Sequence, residues 1–182
     1  LTSEWASHLA SKTEKQAKYM LVKIKERMQA CKLQLHPHKT KIVNMRGESD
    51  VTYARSYDFL GFTLRPVLRK IKERMILFPG TFVSIRSKTA IRNKFKEWEI
   101  HKRRKPLEEL AQDLNPMIRG LIGYFHKFWN GGMRPVWNQL NHRLLKWVKW
   151  EKGLYKYASL RWLKRKYAEN PTLFAHWKLV QP

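Results

Sequence analysis

The residues able to do chemistry in this chain are few, and their spacing limits what they can do. His36 and His38 flank Pro37 in the stretch LQLHPHKTKIV at 33–43. Zinc takes three or four protein ligands, and no third histidine, cysteine or carboxylate stands near this pair in the sequence, so the two histidines read as turn residues. Lys39 in the same turn suits a positioned proton donor or a phosphate contact, and equally a solvated lysine. Cys31 is the only cysteine. It excludes an intramolecular disulfide and a multi-cysteine zinc site, and as the continuation of an apolar helix face it is expected in the core. The aspartates Asp50, Asp58 and Asp113 are scattered rather than paired. No glycine-rich phosphate loop, His-Glu metal motif or nucleophile elbow occurs.

Binding is better provided for than catalysis. Lys and Arg total 38 against 14 Asp and Glu, a formal charge of +24 with a sequence pI near 10.4. Folding gains nothing from such self-repulsion, so a polyanionic partner is expected. Two runs, HKRRK at 101–105 and RWLKRK at 161–166, contain no acid, whereas a merely solvated face usually mixes its signs. Seven of the eight tryptophans lie from Trp98 onward, among the basic residues. Lys and Arg meet phosphates, and exposed aromatics stack on unpaired bases. Most of these rings are nevertheless expected in the core; Trp147 shares an apolar stripe with Leu144. A basic membrane-surface protein is the rival reading. No apolar run approaches the ~20 residues that span a bilayer, and the opening LTSEWASHLAS lacks the basic lead and apolar block of a signal peptide. A reducing, cytoplasmic setting fits these features.

The elements that must position these residues are expected to form an α+β fold. Ala17, Leu21, Ile24, Met28 and Cys31 predict an amphipathic helix over 13–32, capped by Ser11 with Glu14 or by Thr13 with Gln16. LQL and KIVNM predict short strands around the His36–Lys39 turn, and GESD at 47–50 a polar loop. YDFLGFTL at 57–64 and RMILF at 74–78 predict strands, with RPVLRKIKER a hairpin-like excursion between them and the Pro79-Gly80 pair a breaker. Helical character follows. Ser87 is placed as a cap before Ile91, Phe95 and Trp98. HKRRKP reads as a charged linker, with Pro106 in the next helix's first turn. Asn115-Pro116 is read as the start of a longer helix carrying Ile118, Leu121, Ile122, Phe125 and Trp129, with NGG at 130–132 as its stop. Pro135 opens a helix with Val136, Leu140, Leu144, Trp147 and Val148; a last helix is expected near 158–168, and NPTLFAHW as an extended tail.

Several segments, in order, resemble the C-terminal part of a group II intron-encoded reverse transcriptase and maturase. KTEKQAKYMLVKIKERMQACKLQLHPHKTKIV resembles the family's palm helix and following strand-turn-strand, with Lys39 at the lysine of the fourth palm motif. YDFLGF resembles the primer grip, which implies that Phe59, Leu60, Gly61 and Phe62 help hold a primer end. IRGLIGYFHKF and LRWLKRKYAENPTLFAHW resemble segments of the thumb or maturase region and its close. The resemblance covers roughly 12–180. It implies a palm remnant over 1–80 and a helical thumb/maturase RNA-binding domain over 81–182. Contacts to RNA are then expected from Arg65, Arg69, Lys70, Lys72 and Arg74, from Lys102, Arg103, Arg104 and Lys105, and from Lys164, Arg165 and Lys166.

The departure concerns the metal site. The family carries two adjacent aspartates ahead of the palm helix, in Tyr-Ala-Asp-Asp; here LTSEWASHLAS offers only Glu4. Two-metal polymerisation needs such carboxylates. The expectation is a truncated maturase fragment of a mobile genetic element, without catalytic residues or cofactor, that binds intron RNA to assist splicing. Mg²⁺ would be expected only for an intact polymerase. The resemblance leaves open an enzymatic role as half of a split RNA-directed DNA polymerase, partnered by a separate N-terminal fragment and an RNA–DNA primer-template. A non-functional remnant is the other alternative. Nothing nuclease-like follows the maturase segments.

Overall fold

The computed structural model describes residues 9–37, 39–45, 53–128 and 130–182. The chain divides into two compact units, Leu1–Gly80 and Thr81–Pro182. Helices and a three-stranded sheet make it an α+β protein.

In the first unit, helix α1 spans Glu14–Ala30. Thr13 caps it: its Oγ1 accepts from the Gln16 N–H at 3.2 Å, and Gln16 Oε1 accepts from the Lys12 N–H at 3.0 Å. Two otherwise orphaned donors at the helix start are thereby satisfied. The stripe Ala17, Leu21, Ile24 and Met28 is half-buried, and no residue of α1 is fully buried. Cys31 does not join it. The helix closes on the carbonyls of Arg27 and Met28, Lys32 turns left-handed at φ 58, and Cys31 is exposed. The two strands expected around His36 are also absent. Only a single parallel bridge, Val43 to Ala54, forms there, because these short runs find no strand to pair along. The turn itself is present: the Lys39 and Thr40 N–H groups both bond to the His36 carbonyl, at 3.2 and 3.0 Å. His38 and the GESD loop lie outside the described residues.

The sheet has the order β1-β2-β3, with β1 at Tyr57–Phe59, β2 at Phe62–Ile71 and β3 at Arg74–Val83. β1 and β2 pair antiparallel, Phe59 opposite Phe62, around the two-residue turn Leu60-Gly61. Both turn residues have positive φ, 46° and 79°, the geometry that matches strand twist in a tight hairpin. The basic segment between the expected strands does form a hairpin, built of regular strand: it makes most of β2 and the Lys72-Glu73 turn into β3. The Pro79-Gly80 pair does not break β3 but lies inside it, tolerated because an edge strand need not donate every N–H.

The second unit holds α2 (Ile85–Glu97), α3 (Leu107–Phe125), α4 (Arg134–Lys152) and α5 (Lys156–Glu169). The cap of α2 is Ser84, whose Oγ accepts from the Ser87 N–H at 3.1 Å, so Ser87 sits one turn inside. Pro106 occupies the cap position of α3, and the expected start at Asn115-Pro116 is the helix interior. The buried stripe Leu107, Leu110, Ala111, Leu114 and Ile118 runs through that point, and its burial outweighs the hydrogen bond that Pro116 cannot donate. α3 ends at Phe125, ahead of NGG, which instead belongs to a 3₁₀ turn at Asn130–Met133. Central to the unit is α4, which packs against α2, α5 and a 3₁₀ turn at Ile100–Lys102. Trp137, Leu140, Leu144, Trp147 and Val148 of α4 are fully buried. Nor is the C-terminal tail merely extended. A 3₁₀ turn at Ala175–Lys178 packs on α3, and Phe174, His176 and Trp177 are core residues.

Candidate nucleic-acid interface

Buried polar bonds fix the frame that presents the surface of the second unit. Asn115, inside α3, donates to the Leu173 carbonyl at 2.8 Å and accepts from the Ala175 N–H at 2.9 Å, holding the tail like a strand partner. Asn141 of α4 does the same further along. Its Oδ1 meets His176 Nε2 at 2.8 Å and accepts from Trp177 Nε1 at 3.2 Å, while its Nδ2 donates to the Gln181 carbonyl at 3.1 Å. His176 therefore donates from Nε2. Burial pushes its imidazole down to about 3, so it stays neutral at physiological pH. The Trp147 indole donates to the Arg103 carbonyl at 2.8 Å, tying the charged segment 101–105 onto α4.

That segment is partly structural. Arg103 donates from Nε to the Trp98 carbonyl at 3.1 Å and lies 3.5 Å from Asp113. Lys105 reaches Asp113 at 2.8 Å, and Lys102 pairs with Glu99. These bonds, Lys105 foremost, hold the Asp113 carboxyl below its usual range, and Lys102 does so for Glu99. Arg104 is exposed and makes no ion pair among the described residues. In α5, Lys166 pairs with Glu169 at 2.6 Å and stands over the Trp162 ring at 5.9 Å; Arg165 lies 3.7 Å from the same carboxylate. Lys164 is exposed and unpaired among the described residues.

The two acid-free runs meet in space. Lys105 and Lys166, far apart in sequence, line one hollow of about 210 Å³, together with Lys152, Glu108, Glu151, Trp147 and Trp162. Its charges are largely balanced: Glu108 and Glu151 share the lining, Lys105 and Lys166 pair with Asp113 and Glu169, and Lys152 makes no ion pair among the described residues. Beyond it, Tyr157, Arg161, Lys164 and Arg165 recur at helical spacing on the exposed side of α5. Sequence reasoning placed the cations in this neighbourhood but missed its aromatics: Trp150, Tyr155 and Tyr157 are 77%, 90% and 77% exposed. The signal was present for Trp150, which falls off the buried stripe of Leu140, Leu144, Trp147 and Val148.

In the first unit, Arg65, Arg69, Lys70, Lys72 and Arg74 are all exposed on the β2–β3 hairpin. Alternation puts Arg65 and Arg69 on one face of β2 and Lys70 on the other. Left-handed Lys72 marks the turn. Phe59, Leu60, Gly61 and Phe62 form the other hairpin end, with Phe62 buried, Phe59 half-buried and Leu60 projecting, 66% exposed. Lys39 is exposed in its own turn. Asp58 accepts a hydrogen bond from Thr63 Oγ1, its cross-strand neighbour. Among the described residues no group of three or more His, Cys, Asp or Glu is placed to hold a metal ion, and no helix is long and apolar enough to cross a membrane.

The second unit is thus helical, with exposed cations and exposed rings on its surface. Residues 88–168 match the family model described as "Group II intron, maturase-specific domain". Over these residues the second unit is similar to the maturase region of a group II intron protein. No curated protein and no solved structure matches the chain.

Proposed function

We propose that the chain binds folded group II intron RNA and assists its splicing by favouring the active RNA conformation. The observation that carries this reading is the maturase-specific match, which spans the helices that bring Lys105, Lys152 and Lys166 to one hollow. Splicing in this reading needs no protein catalyst: the RNA performs the transesterifications, and the protein stabilises the competent fold by preferential binding. Phosphate neutralisation supplies most of the affinity, from Arg104, Lys164 and the cations around the hollow, with Arg65, Arg69, Lys70, Lys72 and Arg74 of the hairpin as a second set. Lys39 and the Phe59–Phe62 turn add contacts to the same RNA or to a primer end. In this reading the protein contributes binding rather than two-metal polymerase chemistry, since no two aspartates adjoin in its sequence, and it acts in the cytoplasm.

The test is a splicing assay with a group II intron precursor at limiting Mg²⁺, with and without protein. Faster splicing that is lost when Lys105, Lys152 and Lys166 are replaced by Glu supports the reading. Splicing that the protein leaves unchanged contradicts it.

A further inference from the structure

The α4–α5 corner concentrates exposed rings in a way that phosphate binding does not require. Between Trp150 and Tyr157 the chain turns from one helix into the next, and Trp150, Tyr155 and Tyr157 are all more than three-quarters exposed. None of the three meets another ring or side-chain partner among the described residues. Each leaves a large apolar face in water, which folding alone does not favour. Lys149, Lys152 and Lys156 alternate with them, exposed and without an ion pair among the described residues.

The corner is also held rigid. Gly153 ends α4 in the left-handed conformation, at φ 60, which a glycine adopts without strain. Ser159 Oγ lies within hydrogen-bond distance of both the Leu154 and Tyr155 carbonyls, at 3.0 and 2.9 Å, and is itself fully buried. The rings therefore sit on a fixed turn rather than a floppy loop, which lowers the ordering cost of binding. A hollow of about 280 Å³ lies among α4, α5 and the 181–182 tail, its lining including Tyr157, Leu145, Leu160, His142 and Lys156. With an aromatic side chain in its lining, it has volume enough for one planar base.

We propose that this corner is a stacking platform for unpaired RNA nucleotides: Trp150 and Tyr155 stack on bases, Tyr157 walls a slot for one more, and Lys149, Lys152 and Lys156 meet the intervening phosphates. The inference rests on the RNA-binding reading above and adds the class of RNA segment recognised, a single-stranded loop or bulge rather than duplex. Base faces are buried inside a duplex, so exposed rings gain little there, whereas unpaired bases offer them a full face.

The experiment uses the full chain and two probes, a short oligouridylate and an RNA duplex of equal charge. The variants are W150A/Y155A and, as conservative counterpart, W150F/Y155F, with thermal unfolding to verify that both keep the wild-type fold. Oligouridylate affinity should fall about 5- to 150-fold for each base that loses its ring. The salt dependence should keep its slope, because no cation is removed. Duplex affinity should hold, and the Phe variant should retain most of the binding. An equal fall on duplex, no fall on either probe, or no oligouridylate binding by the wild-type chain overturns the platform. Binding to phosphatidylserine vesicles through these rings, with oligouridylate unaffected, also overturns it and assigns the corner to membrane surface. Preference of the wild-type chain for intron RNA over unrelated structured RNA is measured separately. If that preference is missing while the oligouridylate effect stands, the splicing reading fails and the platform survives.

Discussion

Acid should loosen the second unit through one side chain. His176 is fully buried, donates to Asn141 and is pushed from 6.5 down to about 3 by desolvation. Its Nδ1 has no hydrogen-bond partner, so a second proton on the ring would find no acceptor. The unfolded chain takes up that proton near 6.5 and the folded chain does not, so stability is whole above 6.5 and falls as pH drops from there toward 3. At about pH 5 the separation is roughly 1.5 pH units below the unfolded value, a loss of about 2 kcal/mol relative to about pH 8. Urea unfolding at the two pH values, followed by tryptophan fluorescence, reads this as a midpoint shift of about 1 M, given slopes of about 1–3 kcal/mol per molar. The carboxylates held low by lysine, Asp113, Glu99 and Glu169, lose their stabilisation only as pH falls through the ordinary carboxylate range, so they add little at about pH 5 and more below it. The net charge contributes a background, which the H176Q variant preserves. The variant should be less stable at about pH 8 and should lose most of the additional fall at about pH 5. An H176Q midpoint that drops with pH as far as the wild type, or a wild-type midpoint that does not move, refutes the buried neutral histidine.

Other consequences follow from the same geometry. Asn141→Ala leaves the His176 and Trp177 donors and the Gln181 carbonyl without their partner; it should cost about 2–4 kcal/mol by urea unfolding and expose the 173–182 tail to hydrogen exchange first. Arg104→Glu should weaken RNA binding and flatten its salt dependence without moving the unfolding midpoint, since Arg104 is unpaired among the described residues. Asp113→Asn, by contrast, frees Lys105 and Arg103 from their carboxylate and should strengthen RNA binding at low salt. Limited proteolysis should cut the first unit well before the second, because among the described residues Phe62 is the only buried apolar side chain ahead of Val83; survival of 13–64 after the helices are gone would contradict this.

Where hydrophobic spacing acted alone, the sequence was readable. The apolar stripe of α4 and the Thr13 cap of α1 are local devices, and both appear in the structure where their residues put them. The errors arise where distant parts of the chain decide. Asn115-Pro116 carries the local signature of a helix start, yet the stripe from Leu107 to Ile118 buries straight through it, and Asn115 is spent on a tail nearly sixty residues away. That tail reads as extended because its partners, Asn115 and Asn141, are invisible from its own composition. Cys31 continued a period, but the helix ends at Ala30, and Cys31 caps it ahead of left-handed Lys32. At the interface, cation runs were legible as charge, whereas the neutralisation of Lys105 and Arg103 by Asp113 needed the fold, as did the meeting of Lys105 with Lys166 across one hollow. Trp150 was separable from Trp147 only by following the buried stripe along α4.

Equilibrium binding of the full chain to a folded group II intron RNA, against an unrelated structured RNA of equal length, tests the central claim most directly. Any chain at +24 binds RNA at low salt, so the ratio must be read across a salt series that reaches physiological ionic strength. Specific recognition predicts a preference for the intron that persists as salt rises and shrinks when Lys105, Lys152 and Lys166 are reversed. Equal affinities that collapse together with salt would contradict it, leaving charge alone as the basis of binding.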